Sequence, residues 1–191
     1  MTIKLCDISK KVIEKNATSV CQDVFTNSAE FGVINQRDFF DHDVANVDNI
    51  QGYYIVRPND YVYNPRISTT APVGPINRNK LGCCGVMSPL YYVFRVEKQS
   101  DGILHFLDYY FKSNMWHDFM FKNGNSGARS DRFSISDSTF SLMPILYPQK
   151  EEEQLNIGQV FINMEKLMRT ESIKLSKFRS MKQSLLQKMF I

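Results

Sequence analysis

Enzymatic chemistry needs titratable, nucleophilic or metal-binding side chains held close together, and few in this sequence are spaced for it. The histidines His42, His105 and His117 are dispersed, with no HxH or HxxxH spacing among carboxylates, so a zinc or di-metal site is poorly supported. Asp41-His42-Asp43 could serve as an acid–base cluster, but it sits in a stretch rich in Asp and Asn and reads better as a solvated loop. Cys6, Cys21, Cys83 and Cys84 lack CxxC spacing, and reduced thiols in a cytoplasm are the simplest expectation. The run Gly124 to Ser130, GNSGARS, has the glycines of a phosphate loop but no GK[ST] after them. There is no GxSxG elbow either. These residues therefore give poor support to a metal site, to nucleotide hydrolysis and to a nucleophile motif.

Recognition chemistry is better represented. From Tyr63 to Ile76 the sequence places Asn64, Arg66, Ser68, Thr69 and Thr70 among prolines and glycine, and Arg78 and Lys80 follow. A second stretch, Asn123 to Arg132, contributes Asn125, Arg129 and Arg132. Arginine can read guanine bidentately, asparagine can read adenine, and hydroxyls bond bases or phosphates. Asn, Gly, Pro and Ser are equally the residues of ordinary turns. Arg66 could also tie its loop down through backbone carbonyls. On composition alone both readings stand.

These residues need a scaffold. Ile3, Leu5, Ile8, Val12 and Ile13 have a spacing that predicts a short amphipathic helix over 3–15, closed by Asn16. Short β-type runs follow at 19–25, 53–57, 61–63, 90–96 and 140–146, interrupted by Pro and Gly. Between 101 and 120, Leu104, Leu107, Tyr110, Phe111 and Met115 return at helical spacing. The expected fold class is α+β: a twisted, mostly antiparallel sheet with one or two packed helices.

After Pro148 the pattern changes. Glu151, Glu152 and Glu153 suit the first turn of a helix, and no Pro or Gly occurs beyond Gly158. Met164, Leu167, Met168, Leu175, Phe178, Met181, Leu185 and Met189 form a stripe that Glu171 interrupts. From Asn163 to Phe190 such a helix would run about 42 Å. That is too long for a domain of this size to cover, so a second helix is expected on the stripe; the alternative is a helix lying flat on its own sheet. The organisation expected is a domain over 1–148 and a helical region over 149–191.

Length and charge bound the rest. The chain has 191 residues, 43% hydrophobic and 23% charged, enough for one domain with a real core and too few for two large catalytic ones. Neither a membrane span nor a secretory signal is expected. The formal net charge is +3, and all of it comes from residues 150–191; residues 61–149 hold nine bases against six acids, and residues 1–60 six against nine. A local excess this modest permits nucleic-acid binding without demanding it.

The run Tyr53-Tyr54-Ile55-Val56-Arg57-Pro58-Asn59-Asp60-Tyr61-Val62-Tyr63-Asn64-Pro65-Arg66-Ile67-Ser68, then Ala71 to Ile76 and Gly85 to Tyr91, resembles the target recognition domain of type I restriction-modification specificity (S) subunits. Met143-Pro144-Ile145, the Glu151 to Gly158 run and the ending Leu185-Leu186-Gln187-Lys188-Met189-Phe190 resemble the same family. The resemblance implies a non-catalytic subunit that selects a DNA sequence and has no metal or cofactor of its own. Separate modification subunits would transfer methyl groups from S-adenosylmethionine, and a restriction subunit would translocate and cut; S-adenosylmethionine, ATP and Mg would belong to those partners. Asn64-Pro65 is followed by Arg66, so the adenine-methyltransferase NPP[FY] tetrad is absent. S subunits usually carry two recognition domains and two helices paired in an antiparallel coiled coil, whereas this sequence has one of each. The resemblance therefore implies a half-length form whose helix pairs with a second copy, giving a homodimer on an interrupted palindrome in double-stranded DNA. The alternative is a recognition cassette that docks on a full S or modification subunit without specific DNA binding of its own.

Overall fold

The computed structural model describes residues 1–39, 47–126 and 131–190. The fold is α+β, and every pairing between its strands is antiparallel. The strands are β1 Thr2–Lys4, β2 Ser9–Lys11, β3 Phe25–Ser28, β4 Gly32–Asn35, β5 Tyr54–Val56, β6 Tyr61–Tyr63, β7 Ile76–Arg78, β8 Gly85–Met87, β9 Tyr92–Val96, β10 Asn125–Ser126, β11 Phe133–Ser134 and β12 Pro144–Leu146. The helices are α1 Gln36–Phe39, α2 Asp101–Lys112, α3 His117–Asn123, α4 Asp137–Ser141 and α5 Glu151–Met189.

The central sheet has the order β2-β9-β6-β7, with Tyr61 opposite Phe94 and Tyr63 opposite Tyr92. Alternation along β6 and β9 builds a core on both faces. Tyr61, Tyr63, Tyr92 and Phe94 point to one side, where Leu104, Leu107, Phe111, Trp116 and Phe140 join them. Val62 and Val93 point to the other, against Val12, Phe25, Val56 and Met87. Burial on both faces is why these strands read as continuous apolar runs. Gly85 lets β8 approach this second layer, since a Cβ there would lie 2.4 Å from the Phe25 ring.

Three sequence-based expectations are corrected. Residues 3–15 form no amphipathic α-helix: β1 pairs with β12, a single 3-10 turn over Leu5–Asp7 follows, and β2 pairs with β9. Lys4 N donates to Asp7 Oδ2 at 2.7 Å and Leu5 N to Met143 O at 2.8 Å, so partners remote in sequence overrule the local periodicity. Over 19–25 only Phe25 enters a strand, because Asn16 binds Cys21 through both ends of its side-chain amide and folds the preceding segment into a loop. Over 140–146 the first residues close α4, capped by Ser136 Oγ accepting from Thr139 N, before β12 begins.

The helices over 101–120 are α2 and α3, and the helix after Pro148 is α5, 39 residues long. The first turns of α5 dock on the domain, chiefly on α2, and Glu151 also pairs with Lys98 at 2.7 Å. Gly158 permits this approach, since a Cβ there would fall 2.5 Å from His105 Cβ. Phe161 stacks on Tyr109 with ring centroids 4.9 Å apart. Glu165 accepts from Tyr109 Oη at 3.0 Å and from Lys112 Nζ at 2.7 Å. Every residue from Asn163 to Phe190 is exposed. Among the described residues no helix is long and apolar enough to cross a membrane.

Candidate nucleic-acid interface

The two polar stretches singled out from sequence meet in space. Arg66 and Arg132 face each other as an antiparallel bridge. Phe133 N donates to Pro65 O at 2.8 Å and Ile67 N to Asp131 O at 3.0 Å. The 64–68 segment and the strand entry at 131–133 thus form one ridge, carried at its base by β6 and β11.

Asn64 organises the ridge. Its Nδ2 donates to Asn27 O at 2.8 Å, and its Oδ1 accepts from Arg66 N at 3.0 Å, so both ends of the amide serve the backbone. Ser68 Oγ accepts from Ala71 N at 3.1 Å and lies 3.2 Å from Thr70 Oγ1, closing a tight turn. Tyr63 Oη donates to Val73 O at 2.9 Å and pins the loop from below. Gly74 is required here: its φ is +85°, and a Cβ would sit 2.1 Å from Asn64 O. Arg66, Ser68, Thr69, Thr70, Asn125 and Arg132 are exposed. The Arg66 and Arg132 guanidinium groups have no hydrogen-bond or ion-pair partner among the described residues. Arg129 and the Asp41-His42-Asp43 cluster lie outside the described residues.

Arg78 and Lys80 are held differently. The Arg78 side chain is 10% exposed, donates to Asp108 through Nε at 2.9 Å and Nη2 at 2.7 Å, and donates through Nη1 to Asn59 Oδ1 at 2.9 Å. Lys80 Nζ reaches the same carboxylate at 2.7 Å, and Tyr61 Oη donates to it at 3.1 Å. Burial, and then the nearby Asp108 charge, push the Tyr61 hydroxyl well above its ordinary range. These groups anchor α2 to β6 and β7, in a cleft separate from the ridge.

Several residues beside the ridge are not among the candidates that the sequence offers. The β3–β4 hairpin stands beside the ridge, fixed by Asn27 Nδ2 donating to Val62 O at 2.7 Å and by Asn77 Nδ2 donating to Asn27 Oδ1 at 2.8 Å. A cleft of about 310 Å³ runs between hairpin and ridge, lined by Thr26, Ser28, Asn64, Arg66, Ser68 and Tyr91. On the other side of Pro65 a second cleft of about 380 Å³ is lined by Lys11, Tyr54, Tyr91, Tyr92, Arg132 and Asp137. Tyr91 lines both and bonds Thr26 Oγ1 at 3.0 Å. In the second cleft Lys11 pairs with Asp137, whose hydrogen bond raises the lysine pKa, and sits 5.5 Å from the Tyr92 ring centroid. Burial pushes the Tyr92 hydroxyl up to about 12, so it is a neutral hydrogen-bonding group at any physiological pH. The signal that could have exposed the hairpin is the alternation of Phe25-Thr26-Asn27-Ser28 against Gly32-Val33-Ile34-Asn35, with Gly32 at φ +73° ending its turn.

A hydroxyl-lined, hydrogen-bonded backbone ridge whose two arginines meet no counter-charge among the described residues can contact phosphates and base edges; among the same residues no group of His, Cys, Asp and Glu is placed to hold a metal ion. Neither a family model nor a curated protein matches this chain. Its fold is similar to that of a chain in a structure solved for the complex assembly and conformational transition of the type I R-M system, with a TM-score of 0.61 at 11% identity, covering 92% of this chain and 45% of that one. The chain thus spans less than half the length of the solved chain, and at this identity the likeness is one of fold.

Proposed function

We propose that this chain is the sequence-reading component of a type I restriction-modification system, a half-length S subunit with no catalysis of its own. The observation that carries the reading is the ridge: Arg66 and Arg132, side by side and without a counter-charge among the described residues, on a backbone hydrogen-bonded to the end of β6 and the start of β11. The fold likeness to a chain of a type I R-M structure supports it. Phosphate contacts from the exposed bases would position the domain, and Arg66, Ser68, Thr69 and Thr70 would read base edges in the groove. The exposed stripe of α5 supports self-association, which would place two identical domains at opposite ends of a helical rod over an interrupted palindrome.

The test mixes the purified chain with its modification subunit, labelled S-adenosylmethionine and random-sequence DNA. Methylation of one bipartite motif only when both proteins are present is the expected result. Stable association without methylation would replace this reading by that of a docking cassette, and activity of the chain alone would overturn the non-catalytic assignment.

A further inference from the structure

The exposed stretch of α5 contains a pattern finer than an apolar stripe. Taken at alternating steps of four and three residues, one face holds Met164, Met168, Glu171, Leu175, Phe178, Lys182, Leu185 and Met189. The heptad spacing is unbroken over these eight positions, and two of them, Glu171 and Lys182, put one charge of each sign into the apolar stripe. The order of the steps is the same from either end, and its centre falls between Ser176 and Lys177. The seam continues from Phe161, which stacks on Tyr109 of α2 one heptad before Met168, and from Asn163 to Phe190 every position is exposed.

From this we infer that α5 pairs with α5 of a second copy in one antiparallel register, set by two symmetry-related ion pairs between Glu171 and the partner's Lys182; the inference rests on the self-association proposed above and specifies it. In that register each seam residue meets a seam residue: Met164 the partner's Met189, Met168 the partner's Leu185, and Leu175 the partner's Phe178. Leu167 and Met181 flank the seam and widen its apolar contact. The charges make the alternatives worse. A parallel pair would set Glu171 against the partner's Glu171 and Lys182 against the partner's Lys182. Sliding an antiparallel pair by one heptad would set Glu171 against the partner's Leu175 or the partner's Met189, leaving both charges desolvated and unpaired. Within one chain Glu171 bonds only Lys174, an exposed pair at 2.7 Å, and Lys182 has no acid within a helical turn on either side.

Sedimentation equilibrium without DNA tests this through a charge-reversal cycle. Glu171→Lys alone and Lys182→Glu alone each place like charges together twice, and each should weaken the dimer on the order of tenfold or more. The double variant restores opposite charges across the antiparallel pair and should return to within about threefold of the parent. Both sites are exposed and far from the domain, so circular dichroism should show equal helix content in all four proteins. A double variant as weak as the singles, or singles as tight as the parent, overturns the register while leaving a dimer in place. A parent chain that stays monomeric at every concentration overturns self-association itself, and with it this inference. Failure of DNA recognition would leave the cycle untouched.

Discussion

Two regions of the domain hold arginines in opposite states. Beside α2, Arg78 is almost wholly buried and its charge is met by Asp108, which also receives Lys80 and the Tyr61 hydroxyl. On the ridge, Arg66 and Arg132 stand in solvent with no counter-charge among the described residues. A guanidinium neutralised in place can position elements but has little field left for a ligand. An unneutralised one adds nothing to folding and keeps its full attraction for an anion. The sequence marks all four bases as candidates for DNA contact, with the motif favouring Arg66; their surroundings divide them into scaffold and surface.

The sharpest way to break that division is at Asp108. Asp108→Ala leaves Arg78 buried with an uncompensated charge and should cost about 3–5 kcal/mol in urea denaturation. If the variant is instead as stable as the parent, Arg78 is not scaffold. Gly74→Ala comes next. It forces an L-residue into a left-handed backbone against Asn64 O and should cost about 1–3 kcal/mol. Its damage centres on the ridge, so DNA affinity should fall further than the loss of stability alone explains.

The ridge arginines should behave in the opposite sense. Arg66→Ala and Arg132→Ala should leave unfolding free energies within about 0.5 kcal/mol of the parent. In DNA titrations, loss of a base contact should cost about 1–3 kcal/mol and relax specificity at one position. Loss of a phosphate contact should instead weaken all sequences alike and lower the salt slope by about one. Unchanged affinity and selectivity on Arg66→Ala would remove it from the interface.

What the sequence could reveal follows from how local each signal is. The strands around Tyr61-Val62-Tyr63 and Tyr92 to Val96, helix α2 and the whole of α5 are encoded by runs of residues that are neighbours in the chain. The first strand pair is not legible locally, because Ile3 and Leu5 find their partners at Ile145 and Met143, on the far side of the sequence. The same limit applies to the site. Both polar loops were visible as compositions, but their meeting at Arg66 and Arg132 is a tertiary event. The commitment of Arg78 depends on an aspartate thirty residues away in a helix. Asn27, which clamps the hairpin, carries no mark that separates it from a turn asparagine.

The smallest effect expected lies between the two extremes, at the clasp of α5 on α2. Lys112, chiefly by its hydrogen bond, and then Tyr109 hold the Glu165 carboxyl below its ordinary value of 4.5. A carboxyl depressed in the folded state stabilises it fully above the unfolded value, and the contribution disappears as pH falls through the depressed folded value. The clasp should therefore loosen only in acid, below the ordinary carboxylate range. Both side chains are about half exposed, at 50% and 55%, so solvent screening limits the effect to a few tenths of a kcal/mol. Amide exchange over Gly158 to Glu165, followed from neutral to acid pH, should show faster opening at the acid end. Glu165→Gln should remove most of that acceleration; the remainder would belong to Glu151, held low mainly by Lys98 at the start of the same helix. An exchange profile that Glu165→Gln leaves unchanged would mean that the Phe161 stack on Tyr109 and the Gly158 contact alone set the docking, and that this exposed pair, unlike the buried one at Asp108, does no structural work.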